Sequence, residues 1–394
     1  MKTLLFDIAI TGHHAEYISH LVDFLFQEGT AGEEYIFVVN PYFEQEFPGI
    51  VEKAGKIKGV TWVHIDEEAY KNVVSAGTVR RYFREYRLMD AYAKKLRPDH
   101  VFALSFNLVQ LGAALFRTQY SFSGILFLHY YRMNRNTASE KFQYHKAYYL
   151  SKLFTKNPKL KTIFLLNDQE VVDETNKHLK TTAFKMLPDP IPRLHPREGF
   201  DIRKAYNIDP DRKIILHIGS LGNRKSSPET VQAATKIKAS LQDKIALLLV
   251  GMATVPAERK LLKSTITVST ASSKAQIVWD EQFVPSDVMK SLFDQCDAVL
   301  IPYKNVEASS GILGHAAFAK KPVVATGSGL LKELVEQYNL GVLLQAPTAS
   351  GIATGIERVI TEPPLHSQAD KFIKQHSPHN FAAMVLKDHL DINS

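Results

Sequence analysis

At 394 residues the chain is longer than a usual single domain, and two or three domains are expected. Its 45% hydrophobic and 23% charged residues are ordinary for a soluble globular protein with sizeable cores. The single cysteine, Cys296, excludes an internal disulfide and any cysteine metal cluster. The net charge of +7 is modest but uneven: between Val79 and Lys161 there are 16 Lys/Arg against 4 Asp/Glu, a local +12 that leaves −5 for the rest.

No apolar run reaches the roughly 18 residues of a membrane span, and MKTLLFDIAITGHH is too short an apolar stretch for a secretory signal. Leu4 to Ile10 reads instead as the opening strand, followed by a turn at Thr11-Gly12-His13-His14. The helix Tyr17 to Gln27 sets Ile18, Leu21, Val22 and Leu25 at helical spacing, and Tyr35 to Asn40 is a second strand. This is a Rossmann-like start, although one glycine is a weak phosphate-loop signal, and a plain tight turn accounts for Gly12 equally. Thr61 to Ile65 is a short strand, Arg80 to Arg97 a basic helix closed by Pro98, and Val101 to Leu104 another strand. Gly124 to His129 is an apolar strand ending in histidine. The C-terminal end of a parallel strand faces the crevice where such sheets bind ligands, so His129 is either a ligand contact or a satisfied rim histidine. His145 and His178 have no such placement. Thr162 to Leu166 and the helix Asp168 to Lys180 complete the first half.

Aromatic residues interleave with the charge between 79 and 161, among them Tyr82, Phe83, Tyr86, Tyr130, Tyr144 and Tyr148. A solvated face is one reading of that stretch, and a peripheral site on an anionic membrane surface is the other. No nucleic-acid-binding motif accompanies it, so nucleic acid is not an expected partner. The lone thiol favours a reducing compartment, giving a cytoplasmic expectation, or a position on the inner face of the membrane.

Three prolines between Met186 and Pro192 punctuate the chain, after which the α/β pattern restarts. Lys213 to Ile218 is a strand leading into Gly219-Ser220-Leu221-Gly222-Asn223-Arg224-Lys225. Ile245 to Val250 and Gln276 to Trp279 are further strands, and Phe283-Val284-Pro285-Ser286 precedes a helix with Ser286 as a plausible cap. The strand Ala298 to Ile301 is stopped by Pro302. Ser309 or Ser310 then stands at the start of a small apolar helix, Gly311 to Ala319. Val323 to Ala325 is another strand, and Gly327-Ser328-Gly329 opens the helix Leu330 to Glu336. Small residues before two helix N-termini favour an anion such as a diphosphate. The tail Ala369 to Leu390 is amphipathic and helical. Asp209-Pro210-Asp211 mimics an Asp-x-Asp metal motif but falls in a loop before a strand, so no metal site is expected.

The segment from Ala298 to Val335 resembles the donor site of glycosyltransferase family 4, the group 1 retaining glycosyltransferases of GT-B fold. The family shows Glu, seven residues, Glu. Here Glu307 matches the first acid and His315 replaces the second. The family also shows Gly-Arg with Lys five positions on. Lys225 matches, Ser220 replaces the arginine, and Arg224 offers a charge from the same loop. The resemblance covers nearly all of the second half, and of the first only the layout and His129.

The resemblance implies an α/β, GT-B architecture of two Rossmann-like domains facing a deep cleft. The implied domains are an acceptor-side domain over 1–190, a donor-side domain over 191–365, and a segment 366–394 whose helix crosses back onto the first domain. It also implies a retaining, metal-independent, hexosyltransferase-like enzyme using a UDP- or GDP-linked sugar and no other cofactor. The acceptor would be a carbohydrate or lipid-linked molecule in cell-surface polysaccharide or glycolipid synthesis. In this reading Lys225 and Arg224 neutralise the diphosphate, aided by N–H groups at Ser310 and Gly311, with Ser309 and Ile312 alongside. Glu307 holds sugar hydroxyls, His129 orients the sugar, Gly12 faces the donor, Phe283 and Val284 line the base, and His315 meets the ribose. A neutral imidazole accepts one hydrogen bond where a carboxylate accepts two. A non-catalytic partner subunit and a nucleotide-sugar epimerase are the alternatives.

Overall fold

The computed structural model describes residues 1–127, 129–304, 310–362 and 367–387. Glu307 and Ser309 therefore lie outside the described residues. The chain divides into two compact units, Met1–Pro190 with Ser377–Ser394, and Ile191–His376.

The first unit holds strands β1 (Lys2–Asp7), β2 (Glu34–Val39), β3 (Val60–His64), β4 (His100–Ala103), β5 (Ser121–Ile125), β6 (Leu160–Leu166) and β7 (Phe184–Leu187). They form one parallel sheet in the order β3-β2-β1-β4-β5-β6-β7. The second unit holds β8 (Lys213–Ile218), β9 (Ile245–Val250), β10 (Gln276–Asp280), β11 (Ala298–Ile301), β12 (Val323–Thr326) and β13 (Gly341–Leu344). These too are parallel, in the order β10-β9-β8-β11-β12-β13. Central strands are largely apolar because helices cover both faces. In β9, Ala246, Leu248 and Val250 enter one core while Ile245, Leu247 and Leu249 enter the other. Leu4 and Phe6 of β1 are likewise divided from Leu5.

In each sheet the strand order reverses beside the first strand, between β1 and β4 and between β8 and β11. Such switch points open a crevice at the strand C-termini where ligands bind in doubly wound folds. The loops carrying Gly12 and Ser220 leave β1 and β8 at those two places.

Some elements end earlier than the sequence suggests. β1 stops at Asp7 rather than Ile10, because the Asp7 carboxylate accepts the Ala9 N–H at 2.9 Å and turns the chain away. β5 stops at Ile125, and Asn107 Oδ1 takes the Phe127 N–H at 2.8 Å in place of a ladder partner. His129 is thus not a strand-end residue; it lies in the following loop and caps the 3-10 turn Tyr130–Arg132. Pro285, not Ser286, stands at the N-cap of the helix Ser286–Gln295.

The tail is divided between the units. Helix Ala369–Gln375 packs in the second, where Phe372 is buried beside Tyr338. Helix Pro378–Lys387 packs on His14–Glu28 in the first, with the Phe381 ring 4.6 Å from that of Tyr17. The two tryptophans are also divided: Trp62 stacks on Phe37 in the first unit, and Trp279 lies on β10 of the second.

Candidate functional site

The best-formed site in the second unit is the loop after β8. Gly219 (φ +116°) and Gly222 (φ +156°) adopt backbone conformations that side chains rarely enter. A Cβ on Gly219 would lie 2.3 Å from Lys225 Nζ, so the glycine makes room for the lysine. Lys225 is only 5% exposed, donates to the Ile218 carbonyl at 3.0 Å, and lies over the Tyr303 ring at 4.9 Å. The Arg224 guanidinium stands over the same ring at 5.7 Å but is solvent-exposed. The two cations therefore share one aromatic support, with a cation–π attraction largest for the desolvated lysine, on the order of 2 kcal/mol.

Under the loop runs a buried relay that the sequence reading did not pick out. His217, fully buried in β8, approaches the Leu300 carbonyl through Nδ1 at 3.4 Å and Ser227 Oγ through Nε2 at 3.0 Å. A carbonyl only accepts, so Nδ1 carries the proton and Nε2 receives the Ser227 hydroxyl. Ser227 Oγ in turn accepts the Gly222 N–H at 3.0 Å. Burial, reinforced by the Lys225 charge, lowers His217 to about 3, so the ring is neutral as this relay requires. The one signal in the sequence was a histidine inside the otherwise apolar run of β8.

The loop is tied to the segment after β11. Lys304 N–H donates to the Arg224 carbonyl at 2.9 Å, and its ammonium bonds Asn223 and pairs with Glu229 at 2.7 Å. Tyr303 is fixed from behind by Thr326, whose hydroxyl donates to its carbonyl at 2.8 Å. Ser310 is the N-cap of the helix Gly311–Phe318 without a side-chain cap bond. Gly311 is exposed, and Ile312 is half-buried against the core. His315, one turn along, stacks on Phe293 at 5.4 Å. Ser220 is exposed at the head of the β8 loop, Phe283 is exposed, and Val284 packs on the core. The structure thus brings Arg224 and Lys225 together over Tyr303.

In the first unit Gly12 turns the chain at φ +68°. The buried Asp7 carboxylate accepts from His14 Nδ1 at 2.7 Å. Burial alone would lower His14, but the hydrogen bond and charge of Asp7 outweigh it and hold the imidazole above its ordinary value. His13 pairs with Glu16 at 3.5 Å, and Tyr17 donates to Asp189 at 2.6 Å. His129 Nδ1 accepts the Tyr131 N–H at 3.3 Å, so Nε2 carries its proton, and that nitrogen is buried without a partner among the described residues. Burial lowers His129 to about 3. Among the described residues no cluster of His, Cys, Asp or Glu forms a metal site.

Residues 199–376 match the family of glycosyl transferases group 1. An uncharacterized glycosyltransferase of Methanocaldococcus jannaschii is 26% identical over 166 residues, 42% of this chain and 40% of the relative, so the match spans less than half of that protein. Sucrose-phosphate synthase from Thermosynechococcus elongatus is similar over the whole of both chains, with TM-score 0.69 and 16% identity. Anabaena HepE in complex with UDP is similar over 99% of each chain, with TM-score 0.64 and 15% identity. Residues 199–376 thus resemble the glycosyl transferases group 1, and the two Rossmann-like domains have the GT-B fold.

Proposed function

We propose that the chain transfers a sugar from a nucleoside diphosphate to a carbohydrate or lipid-linked acceptor with retention of configuration. The observation that carries this reading is the pair Arg224 and Lys225 over Tyr303, at the switch point of the second sheet. Breaking the sugar–phosphate bond builds negative charge on the diphosphate, and preorganised cations stabilise that charge without reorganising during the reaction. The first turn of the helix Gly311–Phe318 adds its dipole on the neighbouring strand. Glu307 holds the sugar hydroxyls, and His129 orients the sugar. The leaving phosphate itself accepts the acceptor's proton, so no protein nucleophile is needed. The binding of UDP by Anabaena HepE supports a uridine diphosphate donor here.

A thermal-shift series with UDP-, GDP- and other nucleotide-sugars, without metal, tests the reading. One nucleotide should raise the transition by mass action. Lys225→Met, which keeps the stem and deletes the charge, should lower turnover by about 10²- to 10³-fold. No shift with any nucleotide at millimolar concentration would favour a non-catalytic partner subunit, the reading to which His315 and Ser220 lend weight. Conversion of the donor without acceptor would identify an epimerase.

A further inference from the structure

Three helices lie side by side on one face of the first sheet: Thr78–Leu96, Gln110–Leu115 and Ala138–Phe154. The first turns Arg84, Arg87, Lys94 and Lys95 to solvent, and the third turns out Lys141, Lys146 and Lys152. The four acidic residues of the stretch offset Lys94 alone among these cations. Glu85 is buried, and Asp90 is held by Lys94 at 2.7 Å and by Tyr120 at 2.9 Å. Asp99 accepts the Lys2 N–H at 2.8 Å, and Glu140 closes a capping box with Thr137.

The same layer exposes apolar side chains. Phe142, Tyr149 and Leu153, spaced by seven and four residues, form one stripe of the third helix, with Phe142 66% exposed. Leu115 (56% exposed) and Phe116 stand beside the end of that helix, where the Asn157 amide donates to the carbonyls of Ala113 at 2.8 Å and Phe116 at 3.1 Å. We infer that this helix layer docks on an anionic lipid bilayer, the apolar stripe entering the headgroup boundary while the lysines and arginines meet lipid phosphates. Nucleic acid accounts for the cations but not for Leu115 and Leu153, which offer no face on which a base can stack. The inference rests on the glycosyltransferase reading only for its consequence, an acceptor met at a lipid surface.

Vesicle sedimentation of the full chain tests it, using phosphatidylcholine alone and mixed with phosphatidylglycerol. Mixed vesicles should bind at least about tenfold more tightly at low salt, and less so as salt rises. The double variant Lys146→Glu, Lys152→Glu should lose the preference for anionic lipid. Phe142→Ser with Leu153→Ser should lose the binding that survives salt. Both should keep the circular dichroism spectrum of the parent. Equal binding to both vesicle types, no binding to either, or capture of RNA in place of vesicles would overturn the inference. A UDP-induced thermal shift in a chain that ignores vesicles would leave the donor reading standing, and vesicle binding without that shift would leave this one standing.

Discussion

Glu85 has almost no exposed surface, and burial pushes its carboxyl up to about 8 against the smaller pull of Arg81. The folded chain keeps a proton there that the unfolded chain releases above about 4.5. Stability linked to Glu85 is therefore complete below pH 4.5 and is lost as pH rises to 8. Glu85→Gln should remove that slope, so its urea midpoint should gain on the parent between pH 5 and pH 8. The buried histidines act with the opposite sign. Burial lowers His129 and His217 to about 3 and His376 to about 4, against an ordinary value of 6.5. Their contribution is present above 6.5 and is lost as pH falls toward those values, with up to about 2 kcal/mol per ring gone at pH 5. His217→Leu should flatten part of this acid limb. It should also cost about 1–3 kcal/mol at pH 7, because the Ser227 hydroxyl loses its acceptor. Urea titrations at several pH values check both.

At the scale of single elements, the helix Ala138–Phe154 depends on its start. Thr137 accepts the Glu140 N–H at 3.2 Å, and Glu140 accepts the Thr137 N–H at 2.8 Å. Thr137→Ala should cost about 1 kcal/mol, measurable in a urea titration of the first unit. The neighbouring helix Gln169–Leu179 is held more firmly. Asp168 caps it at Val171 N–H and receives Arg132 in a two-point pair at 3.0 and 2.9 Å. Elements of this kind were legible wherever burial on both faces left a continuous apolar run, as in β8, β9 and β11, and wherever proline closed them. The end of β5 was not legible, because the group that ends it is the Asn107 side chain, twenty residues earlier. β7 and β13 are four residues each, with outward positions interrupting their buried ones, so no run announces them. At the site, Lys225 was singled out by the family resemblance, as the lysine five positions after Ser220, and Arg224 by its charge in the same loop. The relay beneath them was not, since His217, Ser227 and Leu300 meet only once β8 and β11 pair.

For the molecule as a whole, each unit owns a parallel sheet with a core on either face. A nucleotide bound at the β8 loop should stabilise the second unit first. The division of the two tryptophans turns that expectation into a unit-resolved readout. Trp279 Nε1–H donates to the Gly251 carbonyl at 3.0 Å, and Gly251 lies so close to Gly219 that a Cβ there would sit 2.0 Å from the Gly219 carbonyl. Gly219 in turn borders Lys225. The indole thus sits two contacts from the β8 loop, whereas Trp62 belongs to the other sheet. In a Trp62→Phe protein, UDP should change the intrinsic fluorescence and delay its loss on heating. In a Trp279→Phe protein, the emission of Trp62 should be unmoved by UDP at low temperature. The chain carries, in effect, one native fluorophore for each half, and the one in the second half is hydrogen-bonded to a glycine packed against the β8 loop.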